Sequence, residues 1–137
     1  MGAAPTRTVR IGFALLALSA LACDPPVPAR PDAASLRPTG ATCPPGSTLT
    51  YASFGREFFD RYCQSCHAST VRGAARRGAP ASHTYDDVES IREAAAEIDL
   101  RAAAGPDAVN TDMPRAFPVP TEEERRQLGE WLACGAP

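Results

Sequence analysis

Cys63-Gln64-Ser65-Cys66-His67 forms a C-x-x-C-H run near the middle of this 137-residue chain. In such a run two thiols can form thioethers with the vinyl groups of a haem, and the adjacent imidazole can ligate the iron. A C-x-x-C pair also occurs as half of a zinc site or as a dithiol redox pair. A zinc site needs two more ligands, and Cys43, Cys134 and His83 do not form a second C-x-x-C pair. Because helical periodicity precedes Cys63, where a dithiol motif would normally follow a strand, the run favours covalent attachment of haem c.

Residues 1–22 have the features of a secretion signal. Arg7 and Arg10 precede a short apolar run, and Ala20-Leu21-Ala22 has the small-x-small form of a cleavage site. The apolar run is too short to span a bilayer. Cleavage before Cys23 would place that cysteine where a bacterial lipoprotein carries its lipid, and plain signal cleavage would leave the same N-terminal residue. Both routes predict an exported protein, either periplasmic or anchored to a membrane through Cys23.

Residues 23–42 are predicted to be a linker, and residues 43–137 a single folded domain. The linker contains five prolines and few apolar side chains, a composition that keeps a chain extended at about 3 Å per residue. It could hold the domain up to ~50 Å from a lipid at Cys23. If Cys23 carries no lipid, the same residues are an N-terminal tail without a defined role.

Hydrophobic periodicity predicts three helices in the domain, which makes the expected fold all-α. The first helix covers residues 50–62 and carries its aromatic side chains on one face. The second has Thr84 as its N-cap and stops at Gly105. The third begins at a capping box that opens with Thr121, and it ends after Cys134.

The five cysteines divide by function. Cys63 and Cys66 are assigned to haem and Cys23 to lipid, which leaves Cys43 and Cys134 as a disulfide pair in an oxidising compartment. Without lipid on Cys23, one thiol would stay unpaired. The predicted disulfide closes a loop of 92 residues, to which chain entropy assigns about 4–5 kcal/mol as an upper figure.

On these motifs, the chain resembles a class I c-type cytochrome over roughly residues 50–134. Gly55 and Phe59 stand eight and four positions before the first haem cysteine, as in the N-terminal helix of that family. Leu128 and Trp131 match the apolar-x-x-aromatic pair of its C-terminal helix. The resemblance implies a small helical domain wrapped around one covalent haem. It also implies that the two terminal helices cross at Gly55, with Phe59 packed edge to face on Trp131.

The resemblance further implies His67 and Met113 as the axial ligands of the haem iron. Met113 is the only methionine left after signal removal, and it lies in a proline-bounded segment 46 residues after His67. Simple packing is the alternative role for Met113, and His83 is the alternative ligand. The carbonyl of Pro80 is the expected acceptor for the ring N–H of His67. Three arginines follow the motif and would either pair with haem propionates or lie in solvent: Arg72, Arg76 and Arg77.

A haem iron whose two axial positions are filled by side chains cannot readily bind a substrate. The predicted function is therefore one-electron transfer with a redox protein donor and acceptor, without enzyme activity. An iron left open by Met113 would instead indicate a haem enzyme or a gas sensor. A third alternative is a haem subunit of a larger surface complex.

Charge gives a further expectation about partners. All 14 basic residues are arginine, and the chain from Cys23 onward has 12 arginines and 16 acidic residues, a formal net charge of −4. Such a balance argues against a nucleic-acid partner. We expect a docking surface of mixed, acidic or apolar character on a protein that is monomeric or part of a redox complex.

Overall fold

The computed structural model describes residues 1–2 and 36–137. The predicted signal peptide from residue 3 onward, the lipid site Cys23 and the linker up to residue 35 lie outside the described residues. The helices are α1 (Arg56–Tyr62), α2 (Gln64–His67), α3 (Val88–Glu93), α4 (Ala95–Ala102) and α5 (Glu122–Ala133). A π-helical turn, Tyr51–Gly55, precedes α1, and a 3-10 turn, Gly73–Arg76, lies between α2 and α3.

The described part of the chain is all-α, as the periodicity predicts. Between residues 36 and 137 there is no β-strand, only an isolated antiparallel bridge between Ala104 and Val109. In that same range no helix has the length and apolar character needed to cross a membrane.

The first and last helices meet at Gly55. A Cβ atom placed on Gly55 would lie 2.7 Å from Cζ2 of Trp131, so only glycine allows this approach. The rings of Phe59 and Trp131 pack with centroids 6.1 Å apart and planes inclined by 60°. At the far end of the pair, the hydroxyl of Tyr62 donates to Glu124. The contact implied by the resemblance, centred on Gly55, is therefore present, but the rings of Phe59 and Trp131 are tilted and not edge to face.

The middle helix begins later than predicted and is broken in two. Asp87, not Thr84, is the N-cap of α3, and its carboxylate accepts from the N–H of Ser90 at 2.8 Å. Tyr85, which follows Thr84, instead donates its N–H to the carbonyl of His67. This bond attaches the segment before α3 to the C-terminal residue of α2. Ala94 leaves the helical conformation and separates α3 from α4.

The folded domain begins before Cys43, so the predicted linker boundary was too late. Thr39 is 1 % exposed, and its hydroxyl donates to Oδ1 of Asp99 at 2.5 Å. The N–H of Thr39 donates to the other carboxylate oxygen, and its carbonyl accepts from the N–H of Asp107. These bonds attach the end of the proline-rich stretch to α4 and to the segment that follows it.

The predicted disulfide is present between Cys43 and Cys134, whose Cα atoms are 4.7 Å apart. It joins the N-terminal segment to the C-cap of α5. The predicted capping box of α5 is also confirmed, since Thr121 and Glu124 exchange side-chain to backbone hydrogen bonds.

Candidate functional site

An open cavity lies beside the C-x-x-C-H run and is walled mainly by apolar side chains. Its empty volume is about 1080 Å³, a figure that includes the solvent in its opening. Cys63, Cys66, His67 and Met113 all line it. The fold therefore brings every predicted haem-binding residue to one cavity. Its apolar walls are Phe58, Phe59, Tyr62, Tyr85, Ile98 and Ala102.

One helical turn presents the motif to this cavity. Cys63 ends α1 and caps α2, and its carbonyl accepts from the N–H groups of both Cys66 and His67. The two motif cysteines are free thiols. Burial raises the pKa of Cys63 to about 12, so this thiol is protonated at neutral pH.

The zinc alternative loses two of its candidate ligands, because Cys43 and Cys134 are bonded to each other. In the described part of the chain, no group of three or more His, Cys, Asp or Glu side chains is placed to hold a metal ion. Within residues 36–137, the motif cysteines thus have no partners of the kind that a zinc site requires.

His67 is 9 % exposed and is held by two contacts. Its Nδ1 atom lies 3.0 Å from the carbonyl oxygen of His83. A carbonyl can only accept, so Nδ1 carries the proton and Nε2 is the nitrogen left for a metal. Tyr85 stacks on the imidazole with ring centroids 4.7 Å apart. Burial lowers the pKa of His67, which favours the neutral, ligating form of the ring.

Pro80 is not the acceptor for His67, which corrects the prediction. Its carbonyl accepts from Nη2 of Arg76 at 2.7 Å, and the chain continues to His83 before it reaches the imidazole. Pro80 still lines the cavity. A main-chain carbonyl supports the ring, as predicted, but it belongs to His83, three residues after Pro80.

Arg76 is buried and donates hydrogen bonds to the loop after the motif, which leaves it no donor for a haem propionate. It is 6 % exposed, and its N–H groups donate to five main-chain carbonyls, so none of its donors is left for a ligand. The acceptors are the carbonyls of Ala68, Val71, Ala79, Pro80 and His83.

The two neighbouring arginines differ from Arg76. Arg77 is exposed, lines the cavity and has a left-handed backbone conformation, with φ of 50°. Arg72 is exposed and donates to the carbonyl of Val71. Of the three arginines predicted as candidates for propionates, Arg77 is the one that combines a free position with a place at the cavity.

Both backbone groups of Met113, its N–H and its carbonyl, are hydrogen-bonded. Its N–H donates to the carbonyl of Arg101 at 2.9 Å, and its carbonyl accepts from Nη1 of Arg125 at 2.8 Å. Arg125 is 3 % exposed, and the same Nη1 also donates to the carbonyls of Ala102 and Asn110. Sequence reasoning missed Arg125, although its position three residues before Leu128 places it on the apolar face of α5.

The charged side chains at the cavity are mostly basic. Arg76, Arg77, Arg101 and Arg115 line it together with Glu97. Arg101 pairs with Glu97 and, at 2.8 Å, with the buried Asp112, and Arg115 pairs with the same Asp112 at 3.4 Å. The charged residues that line the cavity are therefore mostly basic, although the formal net charge of the chain is negative. Arg101 and Arg115 were not identified from the sequence, because their approach to the cavity depends on the path of the segment around Met113.

Comparison of the chain with models of protein families, with curated proteins and with solved structures finds no match.

Proposed function

We propose that this protein is an exported one-electron carrier of the class I c-type cytochrome kind. One observation carries the proposal: His67 and Met113, 46 residues apart in sequence, line the same apolar cavity as the two free thiols of the C-x-x-C-H run. Periodicity alone does not bring these four side chains together. In a helical domain without a cofactor, no physical requirement would place these four side chains around one cavity.

The residues present fit a covalent haem. Cys63 and Cys66 would hold it as thioethers, and Nε2 of His67 and the thioether of Met113 would be its axial ligands. Such a haem supplies one-electron redox chemistry at its iron. The chain contributes an apolar wall that excludes water, a neutral imidazole of fixed tautomer and a cysteine pair one turn apart.

The position of His83 favours Met113 as the second axial ligand. The carbonyl of His83 meets Nδ1 of His67, so its backbone lies on the side of the ring remote from Nε2. A second ligand to a bound haem iron would have to come from the side away from His67 and its supporting loop. Met113 lines the cavity, and its backbone is fixed by two hydrogen bonds. With both axial positions filled, electron transfer is favoured over catalysis or gas sensing.

The proposal includes export. Residues 1–22 carry the signal features, and the Cys43–Cys134 disulfide fits an oxidising compartment such as the periplasm. Lipid on Cys23 would anchor the domain to a membrane and place it near membrane redox partners. The partners themselves are redox proteins, and Arg77, which is exposed and lines the cavity, would face them.

The test is covalent haem on the exported protein. The full chain is produced in a bacterium that attaches haem to exported proteins, and the haem that stays with the polypeptide after denaturation is measured. We expect one haem per chain, and none in a Cys63→Ser/Cys66→Ser variant. The matched control is Cys43→Ser/Cys134→Ser, which removes the same number of thiols but keeps the motif and should retain haem. An exported, folded wild type without covalent haem would refute the proposal.

A further inference from the structure

We infer that Arg76 is a positioning residue that raises the reduction potential of the His67-ligated iron through the main-chain carbonyl of His83. The inference rests on the proposed function. Arg76 would then set how readily the haem iron accepts an electron.

The geometry is a shared acceptor. The carbonyl oxygen of His83 accepts from Nδ1 of His67 at 3.0 Å and from Nη2 of Arg76 at 2.8 Å. A carbonyl oxygen has two lone pairs, so it can accept both bonds at once. The position of the guanidinium beside this oxygen is fixed, because its other N–H groups donate to four further carbonyls of the same loop.

The two donors compete for the electron density of one oxygen. A hydrogen bond from a cation is roughly twice as strong as a neutral one, so the bond from Arg76 polarises the carbonyl more than the bond from His67 does. The bond that an imidazole N–H donates increases the basicity of the ring towards its metal. Weakening that bond leaves His67 a poorer electron donor, which destabilises ferric iron more than ferrous iron.

The charge of Arg76 acts in the same direction. The guanidinium is buried beside the imidazole, and an unshielded positive charge near the iron disfavours the oxidised, more positive state. No carboxylate is among the hydrogen-bond acceptors of Arg76, all of which are main-chain carbonyls. Among the described residues, the charge is thus not neutralised by a direct ion pair. Both effects raise the potential.

The experiment compares the reduction potentials of haem-loaded wild type, Arg76→Gln and Arg76→Lys. Arg76→Gln should lower the potential by about a tenfold change in the ferric-to-ferrous ratio, or ~59 mV for one electron. Arg76→Lys keeps a cation but not the five-donor fork, and its potential should fall between the two. The matched control is Arg72→Gln, which removes an exposed arginine from the same loop and should keep the wild-type potential.

A second readout separates this role from simple support of the loop. In the reduced protein, the Nδ1 proton of His67 should move downfield in Arg76→Gln, because the carbonyl of His83 then accepts from His67 alone. If Arg76 only supported the loop, its loss would lengthen the bond from His67, and the proton would move upfield. An upfield shift or an unchanged potential would overturn the inference.

The wild type supplies a measurement that needs no variant. The Nη protons of Arg76 should give separate NMR signals that exchange slowly with water, because the side chain is buried and each proton donates to a main-chain carbonyl. Rapidly exchanging, averaged signals would overturn the inference even if both Arg76 variants fail to load haem. A wild type without haem would remove the proposed function together with this inference. A wild type with His67 and Met113 ligation but no response to Arg76→Gln would remove the inference alone.

Discussion

Nη1 of Arg125 lies 2.8 Å from the carbonyl oxygen of Met113, which connects α5 to the segment that carries the proposed distal ligand. The same nitrogen reaches the carbonyls of Ala102 and Asn110, and the whole side chain is buried. The C-terminal helix thus does more than pack on the first helix. It also fixes the backbone from which Met113 enters the cavity.

Arg125→Gln should therefore weaken ligation by Met113. Three carbonyls lose their donor, at ~1–3 kcal/mol for each buried group left unsatisfied, so we expect a loss of about 3 kcal/mol in the free energy of unfolding. The reduced variant should also bind carbon monoxide more readily than wild type. Arg126→Gln is the matched control, since the exposed pair of Arg126 with Glu122 contributes at most ~0.5 kcal/mol. Wild-type carbon monoxide binding in Arg125→Gln would contradict this role.

Gly55→Ala should destabilise the protein although alanine is the better helix former. The new Cβ would lie 2.7 Å from Cζ2 of Trp131, and overpacking of this kind costs about 1–3 kcal/mol. Urea unfolding of a double-mutant cycle with Trp131→Phe provides the measurement. Because phenylalanine lacks the outer ring atoms of Trp131, Gly55→Ala should cost less in that background. Equal costs in the two backgrounds would mean that the indole is not the obstacle.

Removal of the disulfide should lower stability without removing haem. In the Cys43→Ser/Cys134→Ser variant we expect a loss of about 2–4 kcal/mol, measured by denaturant unfolding of the haem-loaded protein. Reduction of the wild-type disulfide should give the same loss. A variant as stable as wild type would show that the hydrogen bonds of the N-terminal segment alone hold the two ends of the domain together.

Thr39→Val should be costly for a residue so close to the proline-rich stretch. The hydroxyl of Thr39 is buried against Asp99, and the loss of this bond leaves a carboxylate oxygen without a partner at about 1–3 kcal/mol. Thr42→Val, three residues later and exposed, should change the free energy of unfolding by less than ~0.5 kcal/mol. If both substitutions change the free energy of unfolding by similarly small amounts, the folded domain begins at Cys43 and not before it.

Local pattern was enough to predict the parts of the fold that depend on a few neighbouring residues. The aromatic face before Cys63 and the capping box at Thr121 each lie within one stretch of chain, so the sequence shows them directly. The Cys43–Cys134 bond followed from counting thiols. The contact of Gly55 with Trp131 came from the family resemblance, and the structure contains it.

The parts that sequence reasoning missed depend on how a loop returns to the motif. Tyr85 lies against His67, and the helix cap is Asp87, where Thr84 was predicted. The same path brings the carbonyl of His83 to the imidazole, where Pro80 was expected. Arginines in the sequence are most often solvated, so the buried guanidinium of Arg76 was not expected. Arg125 was missed although its place on the apolar face of α5 was a signal.

The most direct test of the central claim is the absorption spectrum of the oxidised, haem-loaded protein beside that of Met113→Ala. If Met113 ligates the iron, the wild type should show the weak long-wavelength band of an iron–thioether bond. The band should be absent from Met113→Ala and retained in His83→Ala, and only the Met113 variant should bind carbon monoxide readily when reduced. A wild type that lacks the band and binds carbon monoxide would contradict the account, because its iron would then have an open axial position.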